Sequence, residues 1–158
     1  MKKIIAILAM LTMTIAANAQ FEKGKKYLAG SFNSIGMSYN GSSDFQFGVD
    51  AHAGYFFLDN WMLKGQIGYS HQNRNVNSLA FGAGVRYYII QNGLFGGINL
   101  QGVFAEGRND FVPGVEIGYA FFVNDKITIE PSVYYDQSLS SHKDFSTVGL
   151  KIGFGVYL

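Results

Sequence analysis

Cysteine is absent from the 158 residues, so no disulfide framework, thiol nucleophile or thiolate metal site is available to the chain. Proline occurs only at Pro113 and Pro131, which excludes a proline-rich linker. Neither sign of charge is in excess, with Lys and Arg at 12 and Asp and Glu at 11, so there is no electrostatic footprint for nucleic acid or for an acidic partner. Long apolar runs are scarce too. The longest, from Ile4 to about Ala17, has about 14 residues, short of the roughly 18 to 20 that span a bilayer as a helix. No helical period and no low-complexity segment follow it.

That run opens the chain as "MKKIIAILAMLTMTIAANAQ". Lys2 and Lys3 precede it, and Ala17-Asn18-Ala19 ends it with the small-x-small pattern that signal peptidases cut. We therefore expect residues 1–19 to be a removed secretory signal and residues 20–158 to form one exported domain. Removal takes two lysines and leaves 10 basic against 11 acidic residues.

What the chain has in quantity is aromatic residues and glycine: 14 Phe, 10 Tyr and 20 Gly. They fall in alternating stretches that predict eight strands, over 26–39, 44–57, 61–71, 79–90, 94–106, 111–123, 127–139 and 145–158. Between them lie turn signals such as "NGSS" at 40–43, "QNG" at 91–93 and "VNDK" at 123–126. These links suit antiparallel hairpins and are too short for a crossover helix. In the first strand the apolar phase switches between Phe32 and Ile35, and Pro131 sits inside the seventh, so a bulge is expected at each place.

In the last strand Val148, Leu150, Ile152, Phe154, Val156 and Leu158 share one face, opposite Gly149, Lys151, Gly153, Gly155 and Tyr157. Other strands repeat the pattern, and the mid-strand charges Asp50, Lys64, Arg86, Glu116, Glu130, Asp136 and Lys151 all fall on the glycine-bearing phase. A soluble barrel with its apolar face inward and a membrane barrel with that face toward lipid both alternate. Glycine placement separates them. Eight strands enclose a space just wide enough for side chains, so small residues mixed with a few long polar ones suit the interior, and the apolar phase is left for lipid. Aromatics about ten residues apart mark two interfacial girdles, with Tyr55, Phe57, Trp61, Tyr87, Phe95 and Phe121 at one level and Tyr39, Phe45, Tyr69, Phe104, Phe111, Tyr135 and Phe145 at the other.

On these residues the chain resembles the eight-stranded outer-membrane β-barrel proteins, the family typified by OmpX and the membrane domain of OmpA. The resemblance covers residues 20–158 and implies an all-β, eight-stranded antiparallel up-and-down transmembrane barrel in a Gram-negative outer membrane. It implies lipid and lipopolysaccharide as surroundings and a monomer as the state. It also identifies "KIGFGVYL", through Phe154, Val156 and Leu158, as similar to the C-terminal signal read by the barrel-assembly machinery. The family usually ends in Phe where this chain has Leu158, the outer segments are expected to be shorter than the loops that OmpX-like and opacity-type proteins often project, and no cell-wall domain like that of full OmpA-type proteins is expected.

The candidate functional residues are the inward charges Asp50, Lys64, Arg86, Glu116, Glu130, Asp136 and Lys151 together with His52. We read them as a polar network that fills the lumen, because buried charges need partners. A narrow porin-like path for small solutes or ions is the alternative. A lipid A-modifying enzyme is a third reading, with His71, Ser140, Ser141, His142 and Asp144 at the outer level, but loops hold such residues by default and no catalytic motif accompanies them. Asp50 and His52 share a face at i and i+2, yet two ligands do not make a metal site. The glycines of "GAGVRY" and "GFGVYL" lie within strands and signal no phosphate loop. No cofactor is expected.

Overall fold

The computed structural model describes residues 21–38, 46–72, 76–89, 92–105, 108–139 and 147–158. Its strands are β1 (Lys26–Ser38), β2 (Gln46–Leu58), β3 (Trp61–Gln72), β4 (Val76–Ile89), β5 (Leu94–Ala105), β6 (Arg108–Tyr119), β7 (Phe121–Phe122), β8 (Ile127–Asp136) and β9 (Thr147–Tyr157). All pairings are antiparallel. Neighbours in the chain pair from β1 through β6, β8 pairs with β9, and β1 returns to β9 so that the sheet closes. β6 and β7 lie end to end against β8 in one register, with Gly118 opposite Ser132 and Phe121 opposite Ile129. They are a single stave interrupted at Ala120, and the fold is an eight-staved, antiparallel, up-and-down β-barrel.

The two phases of each strand take the sides that glycine placement predicts. Along β9, Leu150, Ile152 and Phe154 are exposed while Gly149, Lys151 and Gly153 are buried, and β8 alternates in the same way. Leu63, Ile67, Ile98, Ile117, Val133 and Leu150 are each more than half exposed. A continuous band of such side chains is far larger than the apolar patches water tolerates, so its solvent is lipid. The inward-apolar soluble barrel is excluded by this sidedness.

Both aromatic levels are visible on the outer wall. Tyr55, Phe57, Trp61 and Tyr87 are exposed near the rim where β1 begins and β9 ends, here called the terminal rim, and Trp61 lies 4.7 Å from Tyr87. Tyr69, Phe104, Phe111 and Tyr135 are exposed toward the far rim. Phe95 does not belong to the girdle where the sequence reading put it. Its odd-numbered position in β5 turns it inward, and it is fully buried. Tyr39, Phe45 and Phe145 lie outside the described residues.

Two irregularities were expected in the ladder, and one is there. The β1–β9 register shifts between Ser34 and Gly36, where the apolar phase switches. At Pro131 there is no shift, since Pro131 pairs with Ile152 in step with its neighbours. Lacking an N–H, Pro131 interrupts the β6–β8 ladder without adding a residue, and the gap between β6 and β7 lies across from it. Strand ends differ from expectation for a related reason. β4 starts at Val76 and β6 at Arg108, because ladder bonding carries strands past the apolar level. β8 stops at Asp136, and Gln137 and Leu139 donate instead to the Pro113 and Phe111 carbonyls, at 2.8 and 3.3 Å.

Candidate functional site

Period two delivers one polar side chain from nearly every stave to the barrel axis. Arg86 of β4 holds the centre. Its Nη1 lies 2.7 Å from Glu130 Oε2, and its Nη2 lies 3.0 Å from Glu116 Oε1. Lys64 of β3 donates to the same Glu116 oxygen at 2.5 Å. Tyr27, Thr128 and Tyr157 add their hydroxyls to Glu130, at 2.7, 2.8 and 3.0 Å. Tyr88 closes the ring, accepting from Arg86 at 3.2 Å and sharing a hydrogen bond with Tyr157 at 2.8 Å. Phe95 lies under the guanidinium, 3.9 Å from its carbon.

The four charges are each no more than 4% exposed. Removing them from water costs several kcal/mol per ion, and this arrangement offsets the cost by giving every charge a counter-charge and Arg86 and Glu130 further hydrogen bonds to tyrosine and threonine hydroxyls. Space for the layer comes from glycine. A Cβ on Gly155 would run into the Tyr27 ring and the Thr128 and Glu130 side chains, and one on Gly118 would meet the Phe95 ring and Ser132. Geometrically the layer is a filled cross-section.

The eight residues expected to act together separate into two sets. Lys64, Arg86, Glu116 and Glu130 form the tight layer just described. Toward the far rim, Lys151 reaches Asp50 at 4.0 Å and lies 5.2 Å from the Tyr134 ring, His52 Nε2 is 2.9 Å from Ser31 Oγ, and Asp136 is hydrogen-bonded by Gln101. This outer set is looser. His52 Nδ1, Gln66 Oε1 and Asn99 Oδ1 are buried there with no partner from the protein, a composition that suits a hydrated cup above a dry floor. Among the described residues no three of His, Cys, Asp and Glu gather as metal ligands.

Below the charge layer, toward the terminal rim, lies a plug that the sequence reading missed. Phe21, Tyr27, Phe56, Met62, Tyr88, Phe95, Ala120 and Tyr157 pack as one buried cluster, with Phe122 against it. The tyrosines could have been found, since Tyr88 and Tyr157 lie on the lumen phase of their strands. Phe21 could not, because it precedes β1 and obeys no alternation. Ser140, Ser141, His142 and Asp144 lie outside the described residues, and His71 enters only as a backbone position of β3.

The closing strand carries the three residues singled out at its end. Phe154 is exposed on the outer wall and meets Phe32 of β1 edge to face, at 6.4 Å and 77°. Val156 is half-buried on that same wall. Leu158 is exposed, and its N–H and carbonyl each bond Lys26 at 2.8 Å, which fastens the last residue to the first strand.

Compared with known proteins, residues 5–158 match the family model described as outer membrane protein beta-barrel domain. The N-terminal β-barrel domain of Pseudomonas aeruginosa OprF is similar in structure with a TM-score of 0.65 at 12% identity, over 86% of this chain and 98% of that one. Neisserial surface protein A follows at 0.60 and 16% identity, over 85% and 97%. The outer membrane protein Ail of Yersinia pestis, in a phospholipid nanodisc, gives 0.58 and 13% over 86% and 100%. At these identities the likeness is one of fold. No curated protein matches the chain.

Proposed function

The chain belongs to the outer membrane protein β-barrel domain family, and from that premise we propose that it is a small, monomeric, non-catalytic barrel whose lumen is sealed and whose role is structural or surface-interacting. In this reading residues 1–19 direct export and are removed. The terminal rim faces the periplasm, the outer wall meets lipid and lipopolysaccharide, and the barrel-assembly machinery engages the end of β9 through Phe154, Val156 and Leu158.

The single observation that carries the sealed lumen is the layer of Lys64, Arg86, Glu116 and Glu130. Its groups satisfy one another with no more than 4% exposure, and an open pore would leave them wet and apart. The looser polar set around Asp50, His52, Asp136 and Lys151 then ends blindly at Arg86. A surface role gains support from a fold neighbour, the attachment invasion locus protein of Yersinia pestis, which has been crystallised with the heparin analogue sucrose octasulfate. Planar-bilayer recording tests the seal. Purified protein is expected to give no steady porin-like current, and sustained conductance at wild-type sequence would replace this reading with the narrow channel.

A further inference from the structure

The charge layer has a cover on its terminal side, built from the residues just before β1. Phe21 is fully buried although Glu22, Lys23 and Gly24 after it are exposed. Its ring stacks on Tyr88 at 4.0 Å and 17° and meets Tyr157 edge-on at 5.6 Å and 77°. Phe56 and Phe122 flank it at 6.1 and 5.7 Å.

The attachments of this segment are few, and three of them run to one place. Asn60 N–H donates to the Phe21 carbonyl at 2.7 Å, Lys23 N–H to Asp59 Oδ1 at 2.8 Å, and Gly24 N–H to the Phe56 carbonyl at 2.8 Å. All three partners belong to the end of β2 and the turn after it. Gly24 has φ +94, a conformation L side chains rarely adopt, and nothing lies within 4 Å of where its Cβ would be. The segment is thus one aromatic anchor on a short strap, with a glycine joint opening on free space.

We propose that Phe21–Gly24 is a hinged strap that gates the terminal mouth of the barrel, admitting water and small ions to the Arg86 layer when Phe21 leaves its seat. The inference rests on the sealed-barrel reading and adds a movable part to it. Coupling runs through Tyr88 and Tyr157. Phe21 covers one face of Tyr88, while the Tyr88 hydroxyl bonds Arg86 and Tyr157, and Tyr157 in turn bonds Glu130. Seating the ring holds the hydroxyls that close Glu130, and unseating it exposes them.

The absence of cysteine makes the test clean. Ala120→Cys places a single thiol in the same buried cluster as Phe21, and a charged, impermeant methanethiosulfonate reports access to that cluster in the refolded mature barrel. Labelling is expected to be slow in this background and at least about tenfold faster when Phe21→Ala or Gly24→Pro is added, because each raises the population of the locally open state. Gly24→Pro leaves the ring intact but removes both the +94 φ and the N–H bond to Phe56, so it serves if Phe21→Ala fails to assemble. Unchanged labelling in a variant that still migrates as a folded barrel would overturn the gate, as would fast labelling of the Ala120→Cys background itself. Steady wild-type conductance would instead sink the sealed-barrel reading, so the two failures are distinguishable.

Discussion

At the scale of single residues, Arg86 has the most to lose. It is shared by two carboxylates and cannot give up its proton, so its removal leaves Glu130 buried with hydroxyl donors only and Glu116 with Lys64 alone. Arg86→Met should lower stability by about 3–5 kcal/mol, the cost of breaking a buried pair from one side. Urea titration in detergent or vesicles, read by the loss of folded migration on a gel, measures it. Glycine predicts the complementary failure. At Gly155 a leucine would be driven into Tyr27, Thr128 and Glu130, and Gly155→Leu should cost at least the ~1–3 kcal/mol of ordinary overpacking. An unaltered midpoint for that variant would mean the layer is not tightly filled. Which residues face inward was legible from period two and from the confinement of charge to one phase. Which partner each one takes was not. Arg86 and Glu130 are 44 apart in sequence, and stagger across a closed barrel decides that they meet while Asp136 turns to Gln101.

At the scale of the strand, sidedness is the claim that matters. Ile117 of β6 is 67% exposed on the outer wall, so Ile117→Lys should cost up to ~2–4 kcal/mol in a bilayer, the penalty range for a cation on a barrel's lipid face. Ser132→Ala, on the inner face of the adjoining β8, should cost much less. Comparable losses for the two would contradict the assignment of faces. The end of β9 yields a further expectation. Placing there the Phe that the resemblance leads one to expect, Leu158→Phe, should increase the share of newly made protein that reaches the folded form, measured by pulse-chase. No change would detach Phe154, Val156 and Leu158 from assembly. Strand existence was readable because alternation persists for ten or more residues. Strand ends were less so, since Val76 and Arg108 continue a ladder whose hydrogen bonds are indifferent to side-chain type. Pro131 misled for a similar reason: a missing N–H demands a gap, and a bulge is only one way to supply it.

At the scale of the whole molecule, closure explains features that no strand explains alone. β1 and β9 pair along their lengths, and Leu158 and Lys26 exchange backbone bonds in both directions, so among the described residues no stave is left as an edge of the sheet. Eight staves leave an interior that side chains fill, and the aromatic cluster with Phe21 packs it at the terminal rim. The barrel itself was legible in the sequence from strand number, short links and glycine phase. The plug was not, because its key residue lies before the first strand and its seat is assembled from β2, β4, β7 and β9.

The most direct test of the account is heat-modifiability of the protein in the outer-membrane fraction, run on a denaturing gel with and without boiling. A closed barrel with a lipid-facing apolar wall should be found in that fraction and migrate differently before and after boiling. A soluble periplasmic protein whose migration ignores boiling would mean that the glycine-and-charge phase faces outward, and would contradict the account at its centre.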